Sequence, residues 1–291
     1  MLVTELENRR LIIDTSYLMH YRANSTYAWF KNEFAGELPY IESRCADYDF
    51  TSDHEYMESY KRNFLYQVKE IAANHQCQLS DAIFAVDCKR SEIWRKDLYP
   101  EYKANRDKAR DPKYPSLRNV FQYTKENILP EIEDRYGIRS IHVDRAEADD
   151  VIAIVSKYWA NIKKEPVLIC ANDMDISQLC NPKIDMTGLD GTNIREKMYT
   201  KFGTGERLVE HKALSGDRGD NIPSVKFRKM GDKNAMKCLD DPQRLEEFFE
   251  KYPESVPTFE LHKELVDFNH IPKHIQREIL VKYIEIEKER S

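Results

Sequence analysis

Asp144-Arg-Ala-Glu-Ala-Asp-Asp-Val-Ile-Ala-Ile-Val155 and Val167-Leu-Ile-Cys-Ala-Asn-Asp-Met-Asp175 decide how this chain is read. Each joins an apolar run to acids. Val151 to Val155 continues a helical pattern that starts in the acidic run, so Glu147 and Asp150, at i and i+3, share one face of its first turn, with Asp149 close by. Val167 to Ala171 is a short unbroken apolar run behind Pro166, which predicts a strand buried on both faces, with Asp173 and Asp175 just past its carboxyl end. In open α/β sheets ligands collect at that end. An acidic first turn is also ordinary helix chemistry, and a lone Asp after a strand is most often an N-cap. What raises this pattern above that reading is its repetition.

Upstream, Arg10-Leu-Ile-Ile-Asp14 is a short apolar strand ending in an acid, with Thr15 and Ser16 as caps for a helix through Tyr21. Ala82-Ile-Phe-Ala-Val-Asp87 repeats the arrangement. Between them, residues 33–60 carry eight acids and Arg44 as the one basic residue, which reads as a solvated insertion. Met57, Tyr60, Phe64, Val68 and Ile71 recur at helical spacing and predict an amphipathic helix over the sheet.

Cys88 to Lys113 holds nine basic residues interleaved with Trp94, Tyr99 and Tyr102. Cations that meet phosphates and rings that stack on bases suit a nucleic-acid strand. Acids also occur there, so a solvated face is the alternative, and its poor apolar spacing suggests a mobile element. Asp185 to Thr204 reads as connecting turns with a short strand, and a helix resumes at Glu206. Ser215-Gly-Asp-Arg-Gly-Asp-Asn-Ile-Pro223 is a sharp loop with two more acids, followed by basic Lys226, Arg228, Lys229 and Lys233 around Gly231.

Size and composition set the bounds. The 291 residues suffice for one large domain or two with a sizeable core. A hydrophobic fraction of 41% excludes a disordered chain. The net charge of −6 does not announce a nucleic-acid binder, but it averages over opposing patches. Six cysteines without a Cys-x-x-Cys pair read as reduced thiols, and no apolar run approaches a membrane span or a signal-peptide core. A cytoplasmic monomer is expected, in host cytoplasm if viral.

The chemistry follows from the acids. Carboxylates without histidine or thiolate among them are hard oxygen ligands suited to magnesium or manganese rather than zinc. Two like charges about 6 Å apart cost about 3 kcal/mol at an effective dielectric of about 20, so eight converging acids require cations. Two such ions could activate water and clamp a scissile phosphate for in-line hydrolysis.

Leu11-Ile-Ile-Asp-Thr-Ser16, Val86-Asp-Cys-Lys89 with Tyr99-Pro-Glu-Tyr-Lys-Ala-Asn-Arg106, Glu147-Ala-Asp-Asp150, Asn172-Asp-Met-Asp175 and Gly216-Asp-Arg-Gly-Asp-Asn-Ile-Pro223 together resemble the 5′-nuclease (flap endonuclease) family, across residues 10 to about 240. Trp94-Arg-Lys-Asp97, Ser224-Val-Lys-Phe-Arg228 and Val266-Asp-Phe-Asn-His-Ile-Pro272 resemble the branch formed by T-even bacteriophage ribonuclease H. The resemblance implies an α/β fold: a PIN-like nuclease domain over 1–204 with a central, mostly parallel sheet and an arch at about 89–125, then a small all-helical helix-three-turn-helix domain over 205–291. It implies metal ligands Asp14, Asp87, Glu147 and Asp149 around a first magnesium, and Asp173, Asp175, Asp217 and Asp220 around a second, with Asp149 or Asp150 between. Lys103 and Arg106 match arch-base cations and, with Asp149 and Asp173, form the expected catalytic set. Arg95, Lys96, Tyr102, Lys103, Arg106, Lys226, Arg228, Lys229 and Lys233 are the expected nucleic-acid contacts.

The implied activity is removal of RNA primers and DNA flaps, 5′ to 3′, in phage replication, on RNA-DNA and DNA duplexes with 5′ ends, nicks or flaps. A phage single-strand-binding protein and a sliding clamp are the candidate protein partners. Two departures stand out: only Gly231 fits the family's Gly-apolar-Gly hairpin, and the acidic insertion lies outside the core pattern. The rivals are a PIN-type ribonuclease on single-stranded RNA and a non-catalytic, structure-specific DNA-binding protein.

Overall fold

The computed structural model describes residues 8–34, 48–107 and 116–290. Five short strands form one parallel sheet: β1 (Arg10–Asp14), β2 (Ile83–Val86), β3 (Arg139–His142), β4 (Val167–Cys170) and β5 (Ile184–Thr187), in the order β3-β2-β1-β4-β5. Chain order reverses between β1 and β4. Asp14 ends one of these strands and Asp173 follows the other, so both acids stand at the crevice where parallel sheets bind ligands.

Helices cover both faces because the strands are apolar on both. Leu11 and Ile13 point to α1 (Thr15–Glu33), α2 (His54–Asn74) and α3 (Leu129–Tyr136). Ile12, between them, points to the opposite layer of α4 (Ala148–Tyr158), α5 (Ile194–Phe202) and α10 (Lys273–Arg290). The period-two alternation along β1 thus assigns the two layers. Phe64 and Phe84 are fully buried in the first, where truncation to Ala costs about 3–5 kcal/mol.

The helical part contains α6 (Gly205–Ser215), α7 (Asp232–Asp240), α8 (Pro242–Lys251) and α9 (Ser255–Val266), around Ala213, Leu214, Val225, Met230 and Phe259. A second small cluster of Cys88, Ile93, Tyr102, Val209, Ile222 and Leu265 joins it to the segment after β2.

Within the helical 205–291 segment, α10 returns to the sheet layer, where the Trp159 indole donates to the Tyr283 hydroxyl at 2.6 Å and Ile275 and Ile279 are fully buried. Some expectations change. The 194–202 stretch is a helix, capped by the Asn193 side chain on Glu196 N–H, rather than connecting turns. The acidic stretch is not wholly solvated: Phe50 is completely buried among Tyr27, Phe30 and Tyr56, although residues 35–47 lie outside the described ones. Among the described residues, no helix is long and apolar enough to cross a membrane, and the five cysteines are free.

Candidate active site

Every expected acid stands at the carboxyl edge of the sheet or on the α6–α7 loop beside it, but the acids fall into two electrostatic groups. Asp14, Asp87, Asp149 and Asp173 form the first. Asp14 caps α1 by accepting the Tyr17 N–H at 3.1 Å. Asp87 accepts the Ser16 hydroxyl at 2.5 Å and the Ala148 N–H at 2.8 Å, which ties β2 to the N-terminus of α4. Asp173 accepts the Asp175 N–H at 2.9 Å and so shapes the turn after β4.

None of the ion pairs among the described residues reaches these four carboxylates. Their proximity shows in their acidity. Burial, then Asp87 and Asp173, raises Asp14 to about 7. Burial and Asp173 push Asp149 well above the carboxylate range, against a lowering by Lys103. Among the described residues no three acidic, histidine or cysteine side chains close into a finished metal cage. Crowded, unpaired hard-oxygen donors nevertheless fit a divalent cation, which would relieve the repulsion that protonation now relieves.

The second group carries its own cations. Glu147 accepts Lys103 at 2.5 Å, Arg95 at 2.8 Å and the Tyr102 hydroxyl at 3.2 Å. Burial alone would raise its pKa, but Lys103 and Arg95 hold it below the usual carboxylate range. Asp220 accepts the Tyr102 hydroxyl at 2.8 Å and Arg106 at 2.7 Å, with Lys103 at 3.6 Å. Lys212 of α6 pairs with Asp175 and with Asp217, the latter at 2.5 Å. Burial raises Asp175 to about 7 despite Lys212, whereas Lys212 and two loop N–H groups outweigh burial at Asp217 and lower it.

Asp150 is a correction. Its carboxylate accepts Arg95 at 2.8 and 3.1 Å, the Trp94 indole at 3.0 Å and the Glu147 N–H at 3.0 Å, and it is fully buried. It closes a capping box with Glu147, which is what the i, i+3 spacing encodes, and it has no oxygen free for a metal.

Arg95 and Tyr102 are likewise not surface contacts for nucleic acid. Arg95 is 2% exposed, and its Nε–H bonds the Leu265 carbonyl at 2.8 Å. Tyr102 is 3% exposed, so its ring packs rather than stacks on bases. Residues 93–106 therefore form an anchored wall of the site, not a mobile basic element. Residues 108–115 of the expected arch, including Lys108, Arg110 and Lys113, lie outside the described residues.

Lys103 and Arg106 do converge, but not as neighbours on a helix. Lys103 has a left-handed backbone (φ 56°) ahead of a short 3₁₀ turn, and its N–H bonds the Asp220 carbonyl at 2.9 Å. Arg106 stays exposed and also bonds the Gly219 carbonyl at 3.1 Å. Lys96 is half-buried on the turn Arg95–Leu98.

The α6–α7 loop hinges on Gly216. With φ at 78° and the Pro223 carbonyl 2.4 Å from where a Cβ would sit, a side chain is excluded there. Beyond it, Lys226 to Met230 folds into a turn closed by two N–H bonds to the Lys226 carbonyl at 3.0 Å. Arg228, Lys229 and Lys233 are exposed there, while Lys226 pairs with Glu254 at 2.5 Å. The sequence reading missed Lys212 and the structural work of Trp94. A buried acidic run needs an internal cation, and a basic residue five positions before Asp217 was a signal for one.

The N-terminal resolvase-like domain of 5′-3′ exonucleases matches residues 46–208, more than half the chain. The 5′-3′ exonuclease of Buchnera aphidicola subsp. Schizaphis graminum is 33% identical over 149 residues, covering 50% of this chain and 48% of that protein. Flap endonuclease Xni of Shewanella pealeana is 33% identical over 149 residues, covering 50% and 53%. DNA polymerase I of Caldicellulosiruptor bescii is 34% identical over 173 residues, 56% of this chain but 19% of the polymerase. The chain thus spans about half the length of two of these relatives and about a fifth of the third.

Among solved structures, bacteriophage T5 5′-exonuclease with bound zinc aligns over 96% of this chain and 99% of its own, with a TM-score of 0.68 at 17% identity. A bacteriophage T5 flap endonuclease in a pseudo-enzyme-product complex with DNA and metal ions aligns over 95% and 98%, with a TM-score of 0.66 at 16% identity. At such identity these two show a shared fold. With the domain match spanning β2 to α6 and the acids arrayed along that sheet edge, the chain belongs to the 5′-3′ exonuclease family.

Proposed function

We propose that this protein is a divalent-metal-dependent 5′ nuclease that degrades nucleic acid 5′ to 3′, cuts 5′ flaps and hydrolyses RNA in RNA-DNA duplexes, removing primers and flaps in phage replication. The observation that carries the reading is the quartet Asp14, Asp87, Asp149 and Asp173, which is crowded, partly buried and, among the described residues, without an ion-pair partner at the sheet's switch point. These four, with Asp175 and Asp217 beside them, would hold magnesium, for which manganese can substitute. When bound, such ions supply a polarised phosphate and an activated water for in-line displacement.

The chain's own residues do the rest. Lys103, which acts on Asp149, and Arg106, which shares Asp220 with it, would bind non-bridging phosphate oxygens and offset the charge that grows during cleavage. Arg95, Tyr102 and Trp94 hold Glu147 and Asp150 rigid, so the first turn of α4 presents Asp149 in one position. Arg228, Lys229 and Lys233 would meet the phosphates of the duplex, independent of its sequence.

Digestion of 5′-labelled and 3′-labelled flap, nicked and RNA-DNA substrates with magnesium tests the proposal. Short 5′ products released from all three substrates support it. Cleavage confined to single-stranded RNA, or none, overturns it.

A further inference from the structure

Lys212 sits where a cation would. From the last turns of α6 its ammonium pairs with Asp175, after β4, and with Asp217, on the next loop, at 2.5 Å. All three side chains are largely enclosed, with 19% exposure for Lys212, 14% for Asp175 and 17% for Asp217. The ammonium is thus held between two carboxylates from different segments of the chain.

The backbone enforces this placement. Gly205 lets α6 pack directly on the turn after β4, since a Cβ there would lie 2.4 Å from the Gln178 carbonyl oxygen. Gly216 then folds the loop back so that Asp217 returns to the helix it has just left. Asp217 is further fixed by the Gly219 N–H at 2.7 Å. The quartet of Asp14, Asp87, Asp149 and Asp173 has no direct ion pair among the described residues, Lys103 acting on Asp149 only from beyond contact.

We infer that Lys212 is a built-in counter-cation that competes with a divalent ion for Asp175 and Asp217, so the two halves of the acidic site load unequally. This rests on the metal-dependent reading above. A divalent ion entering the quartet has no paired ammonium to displace among the described residues, only protons; one drawn to Asp175 and Asp217 must first push the ammonium aside. The lysine offsets one of that half's two negative charges and keeps it ordered until the second ion arrives, and it sets the concentration at which loading completes.

Calorimetric titration with Mn²⁺ alone, without nucleic acid, measures the inference directly. Wild type should show one tight and one weak site. In Lys212→Met the weak site should tighten by about tenfold or more, because its competitor is gone, while the tight site changes by less than about threefold. Lys212→Arg, which keeps the charge, should leave the second site weak.

A wild-type measurement covers the case in which the neutral variant does not fold. In ¹⁵N-lysine spectra, the Lys212 ammonium resonance, assigned by its loss in Lys212→Arg, should move during the second stage of Mg²⁺ titration and not the first. Unchanged weak-site affinity in Lys212→Met, equal tightening of both sites, or a Lys212 resonance that never moves under saturating Mg²⁺ would overturn the role of Lys212. Absence of any Mn²⁺ binding by wild type would instead overturn the metal-dependent reading on which it rests.

Discussion

The Lys103 ammonium lies 2.5 Å from the Glu147 carboxylate, joining the segment after β2 to the N-terminus of α4 through one buried ion pair. The same ammonium stands 3.6 Å from Asp220 and lowers the pKa of Asp149 against the effect of burial. It therefore faces the quartet from one side. If its charge serves the transition state, Lys103→Met should lower the single-turnover cleavage rate of a 5′-flap substrate about 100-fold to 1,000-fold. Affinity in calcium should change far less, and Arg106→Ala should act similarly. Equal losses in rate and affinity would assign both to binding.

Arg95 carries two buried carboxylates, Glu147 and Asp150. Removing one partner of a buried ion pair leaves uncompensated charge, so Arg95→Met should destabilise the fold by about 3–5 kcal/mol in urea denaturation. Lys96→Met, one position on and half-buried, should cost less than about 1 kcal/mol. A small effect for Arg95 would mean that Trp94, Tyr102 and the capping box suffice to hold α4.

Stability without metal should fall as pH rises. Asp14 and Asp175 have folded values near 7, above their unfolded value near 4, so between about pH 4 and 7 the folded state binds more protons than the unfolded one. Ionisation therefore favours unfolding across that window. Glu147 and Asp217 are shifted the other way, and their contribution is lost only as pH falls below about 4.5. Thermal unfolding in chelator should show a melting temperature declining from pH 5 to 7.5, and saturating Mn²⁺ should remove most of the decline. A flat profile in chelator would mean that these carboxyls do not repel one another.

The three strands that end in acids, the α2 stripe and α6 were legible because apolar runs and helical periodicity are local signals. Strand β3 was not, since Arg-Ser-Ile-His is an edge strand with only Ile141 fully inward. The acids themselves were all visible, but their partners were not. Arg95 and Asp150 lie 55 positions apart, and only tertiary packing shows that this arginine is spent on carboxylates rather than phosphates. Trp94 and Tyr102 misled for the same reason: an aromatic among cations reads as a stacking platform until its polar tip is seen bonded to a buried acid. Lys212 looked like an ordinary helix lysine because its first partner comes from a different strand.

Duplex binding should depend on Arg228, Lys229 and Lys233 more than on Lys226, which Glu254 already engages. Neutralising the first three together should flatten the salt dependence of duplex affinity by about 0.9 in the log-log slope per lost phosphate contact, with little change for short single strands. A slope that does not change would place the duplex elsewhere.

On the proposed mechanism the quartet repels itself until a divalent ion binds, and this ion is what cleavage needs. Asp149→Asn tests both halves in one protein. The variant should melt at a higher temperature than wild type in chelator, gain much less from Mn²⁺ than wild type does, and lose 5′-flap cleavage under saturating Mg²⁺ while still binding flaps in calcium. Near wild-type turnover in Asp149→Asn under saturating Mg²⁺ would contradict it.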